Sequence, residues 1–171
     1  TRLRLAEAGF SVWAGLRNPA SEESVQEQAA KRGVQLRCVH LDVTDTASVD
    51  SALEAIEQAG GSLYGLVNNA GITGRSYFEH FPDDYLHKIF EVNVFGAMSL
   101  TKRVLPGMRE RRRGRILMLS SVAGKFGSIA LAPYVASKFA VEGFGESLAI
   151  EMKPFGVNVV IIEPGITKTD I

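Results

Sequence analysis

Residues 134–162, YVASKFAVEGFGESLAIEMKPFGVNVVII, read as a helix over 134–153 followed, after Gly156, by a β-branched strand over 157–162. This strand, like those upstream of it, is apolar enough to predict burial on both faces. The same succession recurs upstream. Short β-branched runs at 10–15, 34–41, 63–67 and 115–119 predict strands, and 2–8, 21–32, 46–59 and 83–108 predict the helices between them. Regular alternation of strand and helix implies an α/β fold with a parallel sheet and crossover helices. The expected helix ends carry the right chemistry. Asp45 or Thr44 can cap the third helix, Pro82 opens the fourth, and Gly33 and Gly60 follow the second and third.

The chain has 171 residues, 46% of them apolar, which predicts one domain over 1–171 with a sizeable core. Nineteen basic and nineteen acidic side chains balance, so no global field recommends nucleic acid or an anionic membrane as a partner. A lone cysteine, Cys38, forms no internal disulfide and reads as a small buried hydrophobe; a reducing cytoplasm is the expected compartment. No apolar stretch reaches the roughly 18 residues that span a bilayer. His40, His80 and His87 lack metal-ligand spacing, and no catalytic metal is expected. Arg109, Arg111, Arg112, Arg113 and Arg115 form a local basic cluster with no aromatics for base stacking, which suits a solvated loop better than a phosphate surface. The last helix carries Val135, Phe139, Val141, Phe144, Leu148 and Met152, more apolar coverage than one packed face requires. Either a second copy, in a homodimer or homotetramer, or a further segment of chain covers the surplus.

Tyr134 and Lys138 lie four apart on one face of the helix, within reach of the same small molecule. An ammonium beside a phenol favours the phenolate, so the pair suits proton transfer; the same spacing is also common on ordinary helix surfaces. Ser120 and Ser121 end the strand over 115–119, where ligands collect in an open parallel sheet, or they close a turn before Gly124. Asn68 and Asn69 precede Ala70 and Gly71 after the strand over 63–67, and Gly71 would let a ligand approach the backbone. Asn93 sits between Val92 and Val94 inside an apolar helical stretch, where its amide needs partners, be they backbone, water or a catalytic group.

Asn68-Asn69-Ala70-Gly71, Asn93-Val94-Phe95-Gly96, Ser121, Tyr134-Val135-Ala136-Ser137-Lys138 and Pro164-Gly165 occur in the order and spacing of the short-chain dehydrogenase/reductase family, classical branch, which the chain resembles over nearly its whole length. The resemblance implies a Rossmann-like doubly wound sheet and an NAD(P)-dependent oxidoreductase acting on a carbonyl or alcohol, with a hydrophobic substrate among those expected. It implies Tyr134 as acid/base, Ser121 as the hydroxyl that polarises the substrate oxygen, and Lys138 as the residue holding the nicotinamide ribose. Asn93 would hold a water linking the lysine to solvent. Asp42 and Val43 resemble the adenine contacts, Asn69, Ala70 and Gly71 the adenosine ribose contacts, and Thr169 the threonine near the carboxamide. Pro164, Gly165 and Thr167 belong to the stretch beside the nicotinamide ring. Asp42 could instead cap a helix.

At the end of the family's second strand an acidic residue selects NAD, whereas this chain has Leu16 there and Arg17 beside it, which favours NADP. The family also begins with a strand and a glycine-rich phosphate turn and ends with a substrate lobe, neither of which this sequence contains. The expectation is therefore a piece of a longer protein, its sheet incomplete at both ends. Two other readings compete: a noncatalytic dinucleotide-binding or interaction module, and an epimerase or dehydratase of the extended branch, which shares the tyrosine and lysine.

Overall fold

β-Branched strands joined by helices can satisfy their backbone only by pairing side by side, and in the computed structural model of this chain every strand pairing is parallel. The structure describes residues 1–165. The chain divides into two compact units, Thr1–Ser62 and Leu63–Ile171. The arrangement is Rossmann-like α/β, with a two-stranded parallel sheet in the first unit and a three-stranded parallel sheet in the second.

The first unit runs α1 (Arg2–Glu7), β1 (Trp13–Leu16), α2 (Glu22–Ala30), β2 (Arg37–His40) and α3 (Thr46–Gln58). β1 and β2 pair from Trp13 opposite Arg37 to Leu16 opposite His40. Both are shorter than the runs at 10–15 and 34–41, because a strand extends only as far as its partner supplies hydrogen bonds. Phe10 lies outside that register and is half exposed. Leu16, Val25, Ala29 and Leu36 form the core between strands and α2, with Leu3, Val12 and the partly buried Cys38 packed on it. Gly33 and Gly60 take positive φ (65° and 74°) after α2 and α3, the left-handed turn that ends a helix. Asp45 caps α3 by accepting from Ala47 N at 2.9 Å.

The second unit runs β3 (Gly65–Asn68), α4 (Asp83–Phe90), a π turn (Glu91–Phe95), α5 (Gly96–Glu110), β4 (Gly114–Leu119), a 3-10 turn (Val122–Gly124), α6 (Ala132–Met152) and β5 (Val157–Ile162). The sheet order is β3-β4-β5, and Ile116 and Met118 of β4 are fully buried at its centre. α6 packs closely on β5 through Gly145, where a Cβ would lie 2.8 Å from Ile161 Cδ1. Gly156 turns the chain into β5 at φ 69°, and a Cβ there would strike the Arg112 carbonyl.

Two expectations need correction here. The helix over 83–108 is broken by the π turn, which re-aims Asn93 toward partners that offset the poorer ladder. The strands are not all buried on both faces: in β2 Arg37 and His40 are exposed and Cys38 and Val39 only partly buried, and in β5 Val157 is buried while Val160 and Ile162 are exposed, because alternate side chains point to opposite faces and α6 covers one. On α6, Val141, Leu148 and Met152 are buried, while Phe139 and Ile150 are exposed. In the arginine cluster, Arg111 donates to Leu63 O (3.0 Å), Arg112 to Pro154 O (2.7 Å), and the Arg113 guanidinium lies 4.9 Å from the Tyr64 ring centre. Among the described residues no helix is long and apolar enough to cross a membrane.

Candidate active site

β4 ends at Leu119, and its last carbonyl accepts a 2.8 Å hydrogen bond from Lys138 Nζ on α6. Lys138 is 6% exposed, and that burial draws its pKa down to about 8, with the Glu142 carboxylate pulling the other way. Its ammonium lies 5.6 Å from the centre of the Tyr134 ring, so the two residues share one side of the helix as their spacing predicts. Tyr134 is half-buried in the first turn of α6, which Pro133 opens.

The π turn places Asn93 against the same helix. Asn93 Oδ1 accepts from Ile72 N (2.8 Å), and Nδ2 donates to Ile72 O (2.9 Å) and Ser137 Oγ (3.0 Å). The amide buried in an apolar stretch thus finds backbone and hydroxyl partners. Ser137, fully buried between Tyr134 and Lys138, donates in turn to Tyr134 O at 2.7 Å. Sequence reasoning gave Ser137 no role; the available signal was a hydroxyl three residues after Tyr134 on the face that must meet Asn93. Gly71 closes the cluster: a Cβ there would stand 3.5 Å from Asn93 Oδ1 and 3.8 Å from Lys138 Nζ.

Ser121 lies two residues beyond Leu119 and caps the 3-10 turn, its Oγ accepting from Ala123 N at 3.1 Å. Ser120, by contrast, is buried. Val122 N donates to Pro164 O at 3.1 Å, tying the Ser121 turn to the segment that holds Pro164 and Gly165. Asn68 is a structural tie from β3, donating to Thr101 Oγ1 (2.9 Å) and Met118 Sδ (3.2 Å), whereas Asn69 and Ala70 are exposed. The second unit therefore gathers Asn93, Ser137, Lys138, Tyr134 and Gly71 within a few ångströms, with Ser121 at the adjoining strand end.

The remaining candidates belong to the first unit. Arg17 follows β1 and is exposed. Asp42 does not cap α3; its Oδ1 accepts from Thr44 N (2.9 Å) and Thr44 Oγ1 (2.7 Å), and those bonds, then Arg17, hold its pKa below the usual carboxylate range. Val43 beside it is half-buried. A cavity of about 110 Å³ opens at the strand ends, lined by Leu16, Pro19, Glu22, Cys38, Val39 and His40. Thr167 and Thr169 lie outside the described residues.

Residues 1–171 match the model of the short chain dehydrogenase family. The chain is 43% identical over 164 residues to "Uncharacterized oxidoreductase YusZ" of Bacillus subtilis (strain 168), covering 95% of this chain and 58% of that protein. It is 39% identical over 162 residues to Retinol dehydrogenase 8 of Homo sapiens, covering 94% and 51%. A crystal structure of a gluconate 5-dehydrogenase from Burkholderia cenocepacia J2315 in complex with NADP and tartrate superposes with a TM-score of 0.89 at 28% identity, covering 97% of this chain and 65% of that one. The chain spans about half the length of the curated relatives it matches.

Proposed function

Because this chain belongs to the short-chain dehydrogenase family, we propose that it carries the catalytic centre of an NAD(P)-dependent oxidoreductase that interconverts a carbonyl and an alcohol. The observation that carries the reading is the convergence of Tyr134, Lys138 and Asn93 beside the end of β4, next to Ser121.

The bound nicotinamide supplies the hydride chemistry. The residues fit such a cofactor beside Gly71, whose backbone stands close to Lys138 Nζ and Asn93 Oδ1 and carries no side chain between them and a ligand. Lys138 donates one of its three N–H bonds to Leu119 O, which leaves two for the ribose hydroxyls of a cofactor, beside the Tyr134 ring. Tyr134 protonates the oxygen in reduction and takes the proton back in oxidation. Ser121 Oγ already accepts from Ala123 N, so its own proton is free to stabilise the developing alkoxide. Both Nδ2 protons of Asn93 are used, so the water it holds in a proton relay is bound through Oδ1 or its backbone carbonyl.

By their match to the family pattern, Pro164 and Gly165 are assigned to nicotinamide contacts and Asn69 and Ala70 to ribose contacts within the second unit, and Asp42 and Val43 to adenine contacts within the first. NADP is preferred over NAD, because Leu16 rather than a carboxylate ends β1 and exposed Arg17 beside it can pair with a 2′-phosphate. The gluconate 5-dehydrogenase similar to this chain was crystallised with NADP, which agrees with that preference. A hydrophobic carbonyl or alcohol fits the likeness to Retinol dehydrogenase 8. Exposed Phe139 and Ile150 on α6 support a homodimer or homotetramer, and the unpaired Cys38 suits a reducing compartment such as the cytoplasm.

Titrating the protein with NADPH and NADH, read by nucleotide fluorescence and Trp13 quenching, tests the reading when paired with turnover of retinal. Saturable binding with NADPH-dependent reduction is expected. Binding without turnover of retinal, gluconate or simple ketones would favour a noncatalytic dinucleotide-binding module.

A further inference from the structure

The buried carboxylate of Glu142 has no part in the chemistry above, yet it lies one helical turn beyond Lys138 and its side chain is only 6% exposed. Glu142 Oε2 is 2.9 Å from Lys125 Nζ as an ion pair, and neither carboxylate oxygen has a well-aligned hydrogen-bond partner among the described residues, so Lys125 is the charge that faces it. Lys125 follows the 3-10 turn that Ser121 caps, and its ammonium also meets Glu163 Oε1 at 3.2 Å and Glu146 Oε1 at 3.9 Å. One cation thus joins the Ser121 turn, the helix that carries Tyr134 and Lys138, and the segment leading to Pro164.

Exposed ion pairs contribute little, and Lys125 with Glu146 is of that kind. The pair with Glu142 differs, because removing its cation would leave a carboxylate buried and uncompensated. Backbone packing reinforces the contact: at Gly124 a Cβ would lie 2.9 Å from Glu142 Cγ and 3.0 Å from Oε1, so the turn rests directly on this side chain. Covalent connection does little to fix the turn against α6, since residues 125–129 are exposed. The bond from Val122 N to Pro164 O secures the turn on its other side.

We propose that Lys125 and Glu142 form a clamp that sets Ser121 relative to Tyr134, which makes both of them positioning residues for the reaction. The inference rests on the oxidoreductase reading, in which the two hydroxyls must reach one substrate oxygen together. Glu142 also opposes the effect of burial on Lys138, so the same carboxylate supports the charge on the neighbouring lysine.

The test compares the parent with Glu142→Gln, Lys125→Met and Lys125→Arg by amide hydrogen exchange at residues 122–125 and by steady-state kinetics with NADPH and retinal. Glu142→Gln keeps the shape and removes the charge without leaving a buried carboxylate behind, whereas Lys125→Met does leave one, so urea midpoints are recorded for each variant to separate loss of the clamp from loss of stability. Exchange at Ala123 and Gly124 should rise ~10-fold in the first two variants as the turn loosens. Their kcat should fall about 10- to 100-fold, the scale of a misplaced catalytic group, while NADPH affinity holds and Lys125→Arg recovers most of the lost rate. Unchanged exchange would overturn the clamp, and raised exchange with parental kcat would overturn its positioning role. A parent that turns over no carbonyl probe would overturn the oxidoreductase reading and the positioning role with it, and the exchange data would still decide the clamp.

Discussion

Asn93 Nδ2 donates to Ser137 Oγ across 3.0 Å, and Ser137 Oγ donates in turn to the Tyr134 carbonyl at 2.7 Å. The π turn is thereby linked through Ser137 to the backbone of Tyr134, the proposed acid/base. Removing the relay hydroxyl in Ser137→Ala leaves one Asn93 donor unsatisfied in a buried site. Such a loss costs about 1–3 kcal/mol, so urea denaturation should show a lowered midpoint, with reduced turnover accompanying it. An unchanged midpoint would mean that the π turn holds Asn93 without help.

Tyr134→Phe keeps the ring beside Lys138 and deletes only the hydroxyl. Turnover should fall by at least ~100-fold, the usual contribution of a positioned acid/base, while the dissociation constant for NADPH stays close to the parent's. Near-normal turnover in this variant would remove Tyr134 from its role.

Arg17→Gln tests cofactor choice. A charged hydrogen bond to a 2′-phosphate is worth about 1.5–3 kcal/mol, so NADPH affinity should weaken roughly 10- to 100-fold with NADH affinity unaltered. Arg17 also contributes to holding down the Asp42 pKa, so the variant should raise it slightly. Equal loss for both nucleotides would assign Arg17 to the pyrophosphate or to folding and leave the NADP preference without support.

Phe139 and Ile150 are eleven residues apart, which puts them within about 20° of each other around α6. Exposed Gly143 and Glu146 lie between them on that stripe, opposite the side that Gly145 presses onto β5. An assembly of copies through this stripe should sediment as a dimer or tetramer, and Phe139→Glu with Ile150→Lys should convert it to monomer. A monomeric parent at micromolar concentration would end the proposal.

The alternation of elements and the helix ends were legible because both depend on neighbours in sequence, as Asp45 capping α3 and Gly33 ending α2 illustrate. The Tyr134 and Lys138 pairing was legible for the same reason, one helical turn being a local distance. Asn93 announced its need for partners but not their identity, since Ile72 lies 21 residues away and Ser137 lies 44. The π turn was invisible because those distant bonds are what offset its poorer ladder. The limits of β1 and β2 were misjudged because each is defined by the other's hydrogen bonds. Lys125 and Glu142 were passed over because charged residues in a loop and on a helix look solvated until the fold buries one of them.

The burial of Lys138 makes a prediction about stability as well as rate. Its pKa is about 8 in the folded protein against an ordinary 10.5, so between those values the unfolded chain holds a proton that the folded chain has released. Stability therefore rises with pH across that window, whereas below about pH 8 both states are charged and the cost of burying the ammonium is present in full. The shift corresponds to a gain on the order of 3 kcal/mol between neutral and strongly alkaline pH, before other groups titrate against it. Lys138→Met removes this term and leaves the Leu119 carbonyl without its donor, but that second loss does not vary with pH. Urea denaturation at pH 7.0 and at pH 10, values chosen on either side of about 8, should show the parent gaining stability relative to Lys138→Met. Parallel profiles would mean that Lys138 keeps its proton in the folded state, with Glu142 offsetting the burial.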